Sequence, residues 1–139
     1  MRAVADTSVI VAAILDGGER RDACVAALRT ASAAAAGHAW FETISVLTRL
    51  PADSRLTVGD AHRALAASVD GARYLSGAEQ RGFQKWLPGS SVSGGAVYDA
   101  LVGWVAKSAG LPLLTRDLRA LPTYRSLGVE VLLVDPSLA

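Results

Sequence analysis

The chain has 139 residues, 51% of them hydrophobic and 19% charged, which suits one packed domain over residues 1–139 and excludes a disordered tail or a long charged tract. Fourteen Lys and Arg stand against thirteen Asp and Glu, a formal net charge of +1, so any contact with nucleic acid must come from a local basic patch. One cysteine, Cys24, excludes an internal disulfide, and with only His38 and His62 there is no Cys/His zinc cage.

The apolar run over residues 9–15 is short and follows Asp6, which does not suit a secretory core, and no window reaches the roughly 20 apolar residues that cross a bilayer. These features predict a cytoplasmic protein with no membrane contact. Residues 2–6 read as a short buried strand, with Thr7 or Ser8 capping a helix over 9–15 that Gly17-Gly18 breaks. Residues 19–36 predict an Ala-rich helix, alanines 33–36 included, with Glu19 and Asp22 early and Arg29 late, as the helix dipole prefers. Gly37 ends it. A very short strand is expected at 38–39, followed by a helix over 40–50 that stops at Pro51.

Thr57 caps a predicted helix over 58–69, and 72–75 is a strand candidate. Ser76 and Glu79 form a capping box that opens a helix over 77–87. The strongest helical pattern covers 96–108, with Val97, Leu101, Trp104 and Ser108 on one stripe and Gly110 suited to its C-terminal cap. The continuous apolar runs 111–115, followed by a short helix, and 129–134 read as strands buried on both faces of a parallel sheet. This order predicts a three-layer α/β/α sandwich with a mostly parallel central sheet.

In open α/β sheets, ligands bind beyond the carboxyl ends of the strands. Four acids are predicted there: Asp6 ends the first strand, Glu42 and Asp99 each lie in the first turn of a helix, and Asp117 follows the fourth strand. Singly, each reads as a helix cap or a complement to a helix dipole. Jointly they repel: a pair about 4 Å apart costs ~1 kcal/mol in water and ~4 kcal/mol in a partly desolvated cleft. Such a gathering calls for a cation, and oxygen donors without imidazole or thiolate select Mg²⁺ or Mn²⁺. Gly95, Asp99, Gly103 and Ala106 form a stripe of small residues that leaves room above the Asp99 carboxylate.

Ala5-Asp6-Thr7-Ser8, Trp40-Phe-Glu42-Thr-Ile44, Tyr98-Asp99-Ala100-Leu101 and Leu114-Thr115-Arg116-Asp117, in that order over residues 2–135, resemble the PIN domain, and more narrowly the VapC-type toxins of bacterial toxin–antitoxin pairs. The segment after Asp117 departs from the family, since residues 118–122 lack the aromatic residue often found there. The resemblance implies divalent-metal-dependent cleavage of RNA. Asp6, Asp99 and Asp117 would hold the metal directly or through water. Glu42 would bind a second ion or orient the attacking water, and Thr7 or Ser8, with Thr115, would fix carboxylate rotamers.

Arg116 and Arg119 flank the proposed site, with Arg49, Arg55 and Arg20-Arg21 near its rim, and Arg116, tied to the site by sequence, is the expected phosphate contact. Trp40, Phe41 and Trp86 could stack bases, although Trp40 and Phe41 suit a core better. The resemblance further implies an RNA substrate, a cognate antitoxin bound in an apolar groove, and a homodimer. An alternative from another class is a catalytically silent PIN-like module that binds RNA or protein. Removal of Asp6, a residue under carboxylate repulsion, is expected to leave stability unchanged or raised.

Overall fold

The computed structural model describes residues 1–134; Asp135, the last residue of the family resemblance, and residues 136–139 of the predicted domain lie outside that range. In chain order the elements are β1 (Val4–Ala5), α1 (Thr7–Leu15), α2 (Gly18–Thr30), β2 (Ala34–Ala36), α3 (Gly37–Thr48), α4 (Val58–Ser68), β3 (Ala72–Arg73), α5 (Gly77–Trp86), α6 (Ala96–Ala109), β4 (Leu113–Thr115), α7 (Leu121–Ser126) and β5 (Val131–Leu133). Single 3₁₀ turns cover Leu87–Gly89 and Leu118–Ala120. The five strands pair in the order β3-β2-β1-β4-β5, and every pair is parallel.

This order places the site. The chain lays β2 and β3 on one side of β1, then crosses to lay β4 and β5 on the other. The switch point therefore lies between β1 and β4, where adjacent connections leave in opposite directions and open a crevice. Strand residues alternate between two packed layers. Ala3 and Ala5 face the core shared with Val9, Ile10, Cys24, Leu28 and Leu65 of α1, α2 and α4. Val4 faces the opposite core, with Val102, Val105 and Ala106 of α6, Tyr124 of α7 and Leu113 of β4. A smaller cluster of Phe83, Trp86 and Trp104 ties α5 to α6.

Several boundaries differ from the sequence expectation. The second helix stops at Thr30; Ser32 turns the chain at φ 45°, and Ala34–Ala36 form β2 rather than the end of a helix. Alanine favours helices, but residues 33–36 are wholly buried with β2 paired to both β1 and β3, and that tertiary pairing outweighs a weak local preference. The expected strand at 38–39 is instead the first turn of α3. Glu42 accordingly sits in the second turn, not the first. Asp6 itself caps α1, and Thr7 and Ser8 are already helical. The Thr57 cap, the Ser76–Glu79 capping box and the left-handed Gly110 cap at φ 66° all stand as the sequence predicts.

Candidate active site

The carboxyl ends of β1 and β4 deliver Asp6 and the run Thr115 to Asp117 side by side, because Asp6 N–H donates to Leu114 O at 3.1 Å. A cleft of about 350 Å³ opens there, and Asp6, Glu42, Asp99 and Asp117 all line it. The four acids predicted from sequence thus come together, carried by β1, α3, α6 and the segment after β4.

Asp6 is the most deeply set, at 4% exposure. Its Oδ1 accepts from Ser8 N at 3.0 Å, Val9 N at 3.4 Å and Ser8 Oγ at 2.5 Å, while Oδ2 accepts from the Thr115 hydroxyl and from Tyr124 OH at 2.9 Å. The Ser8 and Thr115 hydroxyls are themselves tethered: Arg116 N donates to Ser8 Oγ at 2.8 Å and Asp117 N to Thr115 Oγ1 at 3.0 Å. Burial pushes the Asp6 carboxyl above its ordinary range, with the hydrogen bonds from Ser8, Thr115 and Tyr124 opposing it. This geometry bears on the expectation for Asp6 removal. Alanine there would relieve a buried charge but delete the cap of α1 and leave buried hydroxyls without an acceptor, a cost the sequence did not show.

Asp99 is half-buried, and its carboxyl is also pushed up, first by burial. Arg119 opposes the shift, and the charges of Asp117, Asp6 and Glu42 add to it. Asp99 therefore senses the charges of the other three acids. Asp117 caps the following 3₁₀ turn through Arg119 N at 3.0 Å and pairs with Arg119 Nη2 at 3.0 Å. Capping and clustering are thus one arrangement at Asp6 and Asp117, not alternatives. Glu42 Oε2 lies 3.4 Å from His38 Nε2, and the His38 ring stacks on Tyr98.

Arg116 does line the cleft, but its Nη1 sits 3.6 Å from Asp16 Oδ2 and the side chain is largely covered. Arg119, 80% exposed along its side chain, is the cation placed among the acids. Among the described residues, two buried side-chain polar atoms lack a hydrogen-bond partner, Thr7 Oγ1 and Arg116 Nε, and both residues line this cleft. Buried polar groups are almost always paired, and a water in the cleft wall can serve both atoms.

Sequence reasoning missed Tyr124. Its ring, 1% exposed, lies against Gly103 of α6 with its hydroxyl on Asp6. A β-carbon added at Gly103 would meet Leu127 Cδ1 at 2.6 Å and Tyr124 Cδ1 at 3.1 Å. The small-residue stripe therefore does leave room near Asp99, but α7 fills it at Gly103. The available signal was a tyrosine in the short segment between two strands, whose hydroxyl needs a partner once buried.

The acids fit a hard divalent cation by donor chemistry: they offer oxygen alone, burial raises the Asp6 and Asp99 carboxyls, and at Asp99 the charges of the other three acids add to it. Among the described residues, no three Asp, Glu, His or Cys side chains form a ready-made metal cage. An open acid-lined cleft suits Mg²⁺, which keeps several waters and commonly takes only one or two carboxylates.

The PIN domain profile matches residues 3–125. Ribonuclease VapC40 of Mycobacterium tuberculosis is 47% identical over 131 residues, covering 93% of this chain and 96% of that protein. Ribonuclease VapC27 of the same organism is 41% identical over 126 residues, covering 91% and 92%. Among solved structures, VapC20 of Mycobacterium tuberculosis, a sarcin-ricin loop cleaving toxin, superposes with a TM-score of 0.64 at 18% identity, covering 86% of this chain and 93% of that one. FitAB bound to a DNA fragment gives 0.62 at 14% identity, covering 94% and 93%. At such identities the two superpositions speak for the fold alone. With the fold, the four-acid cleft and relatives of matching length in agreement, the chain belongs to the PIN-domain family, on its VapC branch.

Proposed function

We propose that this protein is a Mg²⁺- or Mn²⁺-dependent endoribonuclease that acts as the toxin of a toxin–antitoxin pair. The observation that carries the reading is the joining of Asp6, Glu42, Asp99 and Asp117 in one cleft at the switch point. The ribonuclease relatives, alike over nearly their whole length, support the same reading and disfavour a silent binding module.

Asp99 and Asp117 would hold the ion directly and Asp6 through water, since both Asp6 oxygens already accept hydrogen bonds. When bound, such an ion acidifies water and neutralises charge on the phosphoryl oxygens. The chain's own groups do the rest. Glu42 orients the attacking water or holds a second ion. Ser8 and Thr115 fix the Asp6 carboxylate, and the Thr7 hydroxyl is free to serve a water or a phosphate oxygen. Arg119, exposed along its side chain at the cleft, receives the scissile phosphate.

As partners we expect a cognate antitoxin and a second copy of the chain, and as location the cytoplasm; among the described residues no helix is long and apolar enough to cross a membrane. Purified wild type and Asp99→Asn, each given cellular RNA in Mg²⁺ and in EDTA, test the reading. Wild type should cleave in Mg²⁺ only, and the variant should lose at least about 100-fold in rate, more than removal of an outer-shell group costs. Equal cleavage by both proteins would refute it.

A further inference from the structure

Beside the acid cleft, a second one of about 500 Å³ lies between α3 and α6 and shares Glu42, Asp99 and Arg119 with it. Its walls are aromatic. Phe41, Tyr74 and Tyr98 are 62%, 54% and 56% exposed, the three aromatic side chains so exposed among the described residues. Phe41 and Tyr98 line the cleft, and Tyr74 lies 6.5 Å from Phe41, centroid to centroid. Trp40, by contrast, packs edge-on against His62 beside the core. Large aromatic surfaces kept in water, gathered at one place, ask for an occupant.

The Tyr98 ring is held. His38 stacks on it at 4.9 Å with the planes 12° apart, so the tyrosine is a stiff platform with its remaining surface toward solvent. Arg49 and Arg119 line the same cleft and give it cations, while Glu42 and Asp99 carry it into the acid cleft next to it. Aromatic faces flanked by arginines suit nucleobases and their phosphates, and a base offers its face only where it is unpaired.

We propose that the α3–α6 cleft is a nucleobase subsite, in which Tyr98, backed by His38, and Phe41 stack an unpaired base while Arg49 and Arg119 meet the adjoining phosphates. The inference rests on the nuclease reading and deepens it: a base stacked there lies beside the acids, because the two clefts share Glu42, Asp99 and Arg119. Duplex RNA, its bases stacked internally, cannot use the platform.

The test uses single-stranded oligoribonucleotides carrying one 2-aminopurine at successive positions, bound in EDTA and cleaved in Mg²⁺. Binding should change the emission at one position. Tyr98→Ala should abolish that change and raise KM by about five- to a hundredfold, the range of a lost base stack, with kcat little altered. Tyr98→Phe should restore both, and Phe41→Ala should fall between. If wild type cleaves but Tyr98→Ala shifts neither emission nor KM, the subsite is refuted and the nuclease reading stands. If nothing cleaves yet one position's emission still depends on Tyr98, the nuclease reading fails and the base platform survives. Sedimentation that shows Tyr98→Ala splitting a dimer, with emission unchanged, would overturn the proposal in favour of an interface between copies.

Discussion

Replacing Tyr124 by Phe takes one hydroxyl from the site and leaves the ring against Gly103 in place. That hydroxyl donates to Asp6 Oδ2 at 2.9 Å, and both residues are buried. A hydrogen bond to an ionised group nets about 1.5–3 kcal/mol, against about 0.5–1.5 kcal/mol between neutral groups. Thr115 still serves Oδ2, so the oxygen is not orphaned and the loss belongs at the lower end, about 1.5–2 kcal/mol where Asp6 is ionised. In a chain of this size that lowers Tm by roughly 5–10 °C. The loss should shrink as pH falls through the raised Asp6 value, because protonated Asp6 takes only the weaker bond. Tyr124 is also one of the groups that hold the Asp6 carboxyl down, so in the variant the shrinkage should set in at a higher pH. Urea and thermal melts of metal-free wild type and Tyr124→Phe, from about pH 4 to pH 8, measure this. A loss under about 0.5 kcal/mol at neutral pH, or one constant across the range, would show that no bond to an ionised Asp6 exists.

Asp99→Asn should stabilise the metal-free protein at neutral pH. The folded Asp99 value is raised, so its favourable contribution holds below the unfolded value and is lost as pH rises through the raised one; melts in which the Asn variant falls less with rising pH than wild type check it, Asp6 contributing to both. Mg²⁺ or Mn²⁺ should raise the wild-type Tm in proportion to the logarithm of its concentration and raise it less in Asp99→Asn, and an unchanged Tm across the titration would count against the metal. Gly103→Ala should cost about 1–2 kcal/mol net, overpacking against Leu127 and Tyr124 outweighing the gain in helix propensity, and a stabilised variant would show that Gly103 does not set the approach of α7 to α6.

The sequence by itself determined the layer class, most helix limits and the identity of the four acids, because these rest on local chemistry. Thr57, Ser76 with Glu79, and Gly110 fix helix ends through neighbours within a few residues, and the buried β4 announces itself as an unbroken apolar run, whereas the run at 129–134, expected to be buried on both faces, is the edge strand β5 with Leu132 40% and Leu133 36% exposed. Strand ends then locate Asp6 and Asp117 without any knowledge of packing. What only the tertiary structure decided involves partners distant in the chain. Alanines 34–36 became a strand because β1 and β3 flank them, a fact no local propensity carries. Tyr124 reached Asp6 across 118 positions because Gly103 lets α7 close on α6. Arg116 turned to Asp16 while Arg119 came to stand among the acids, and Phe41 pointed to water while Trp40, its neighbour, packed against the core. Residue type and spacing name the groups that carry the chemistry; which of them is buried, paired or left open is set by the packing of elements that the chain brings together only on folding.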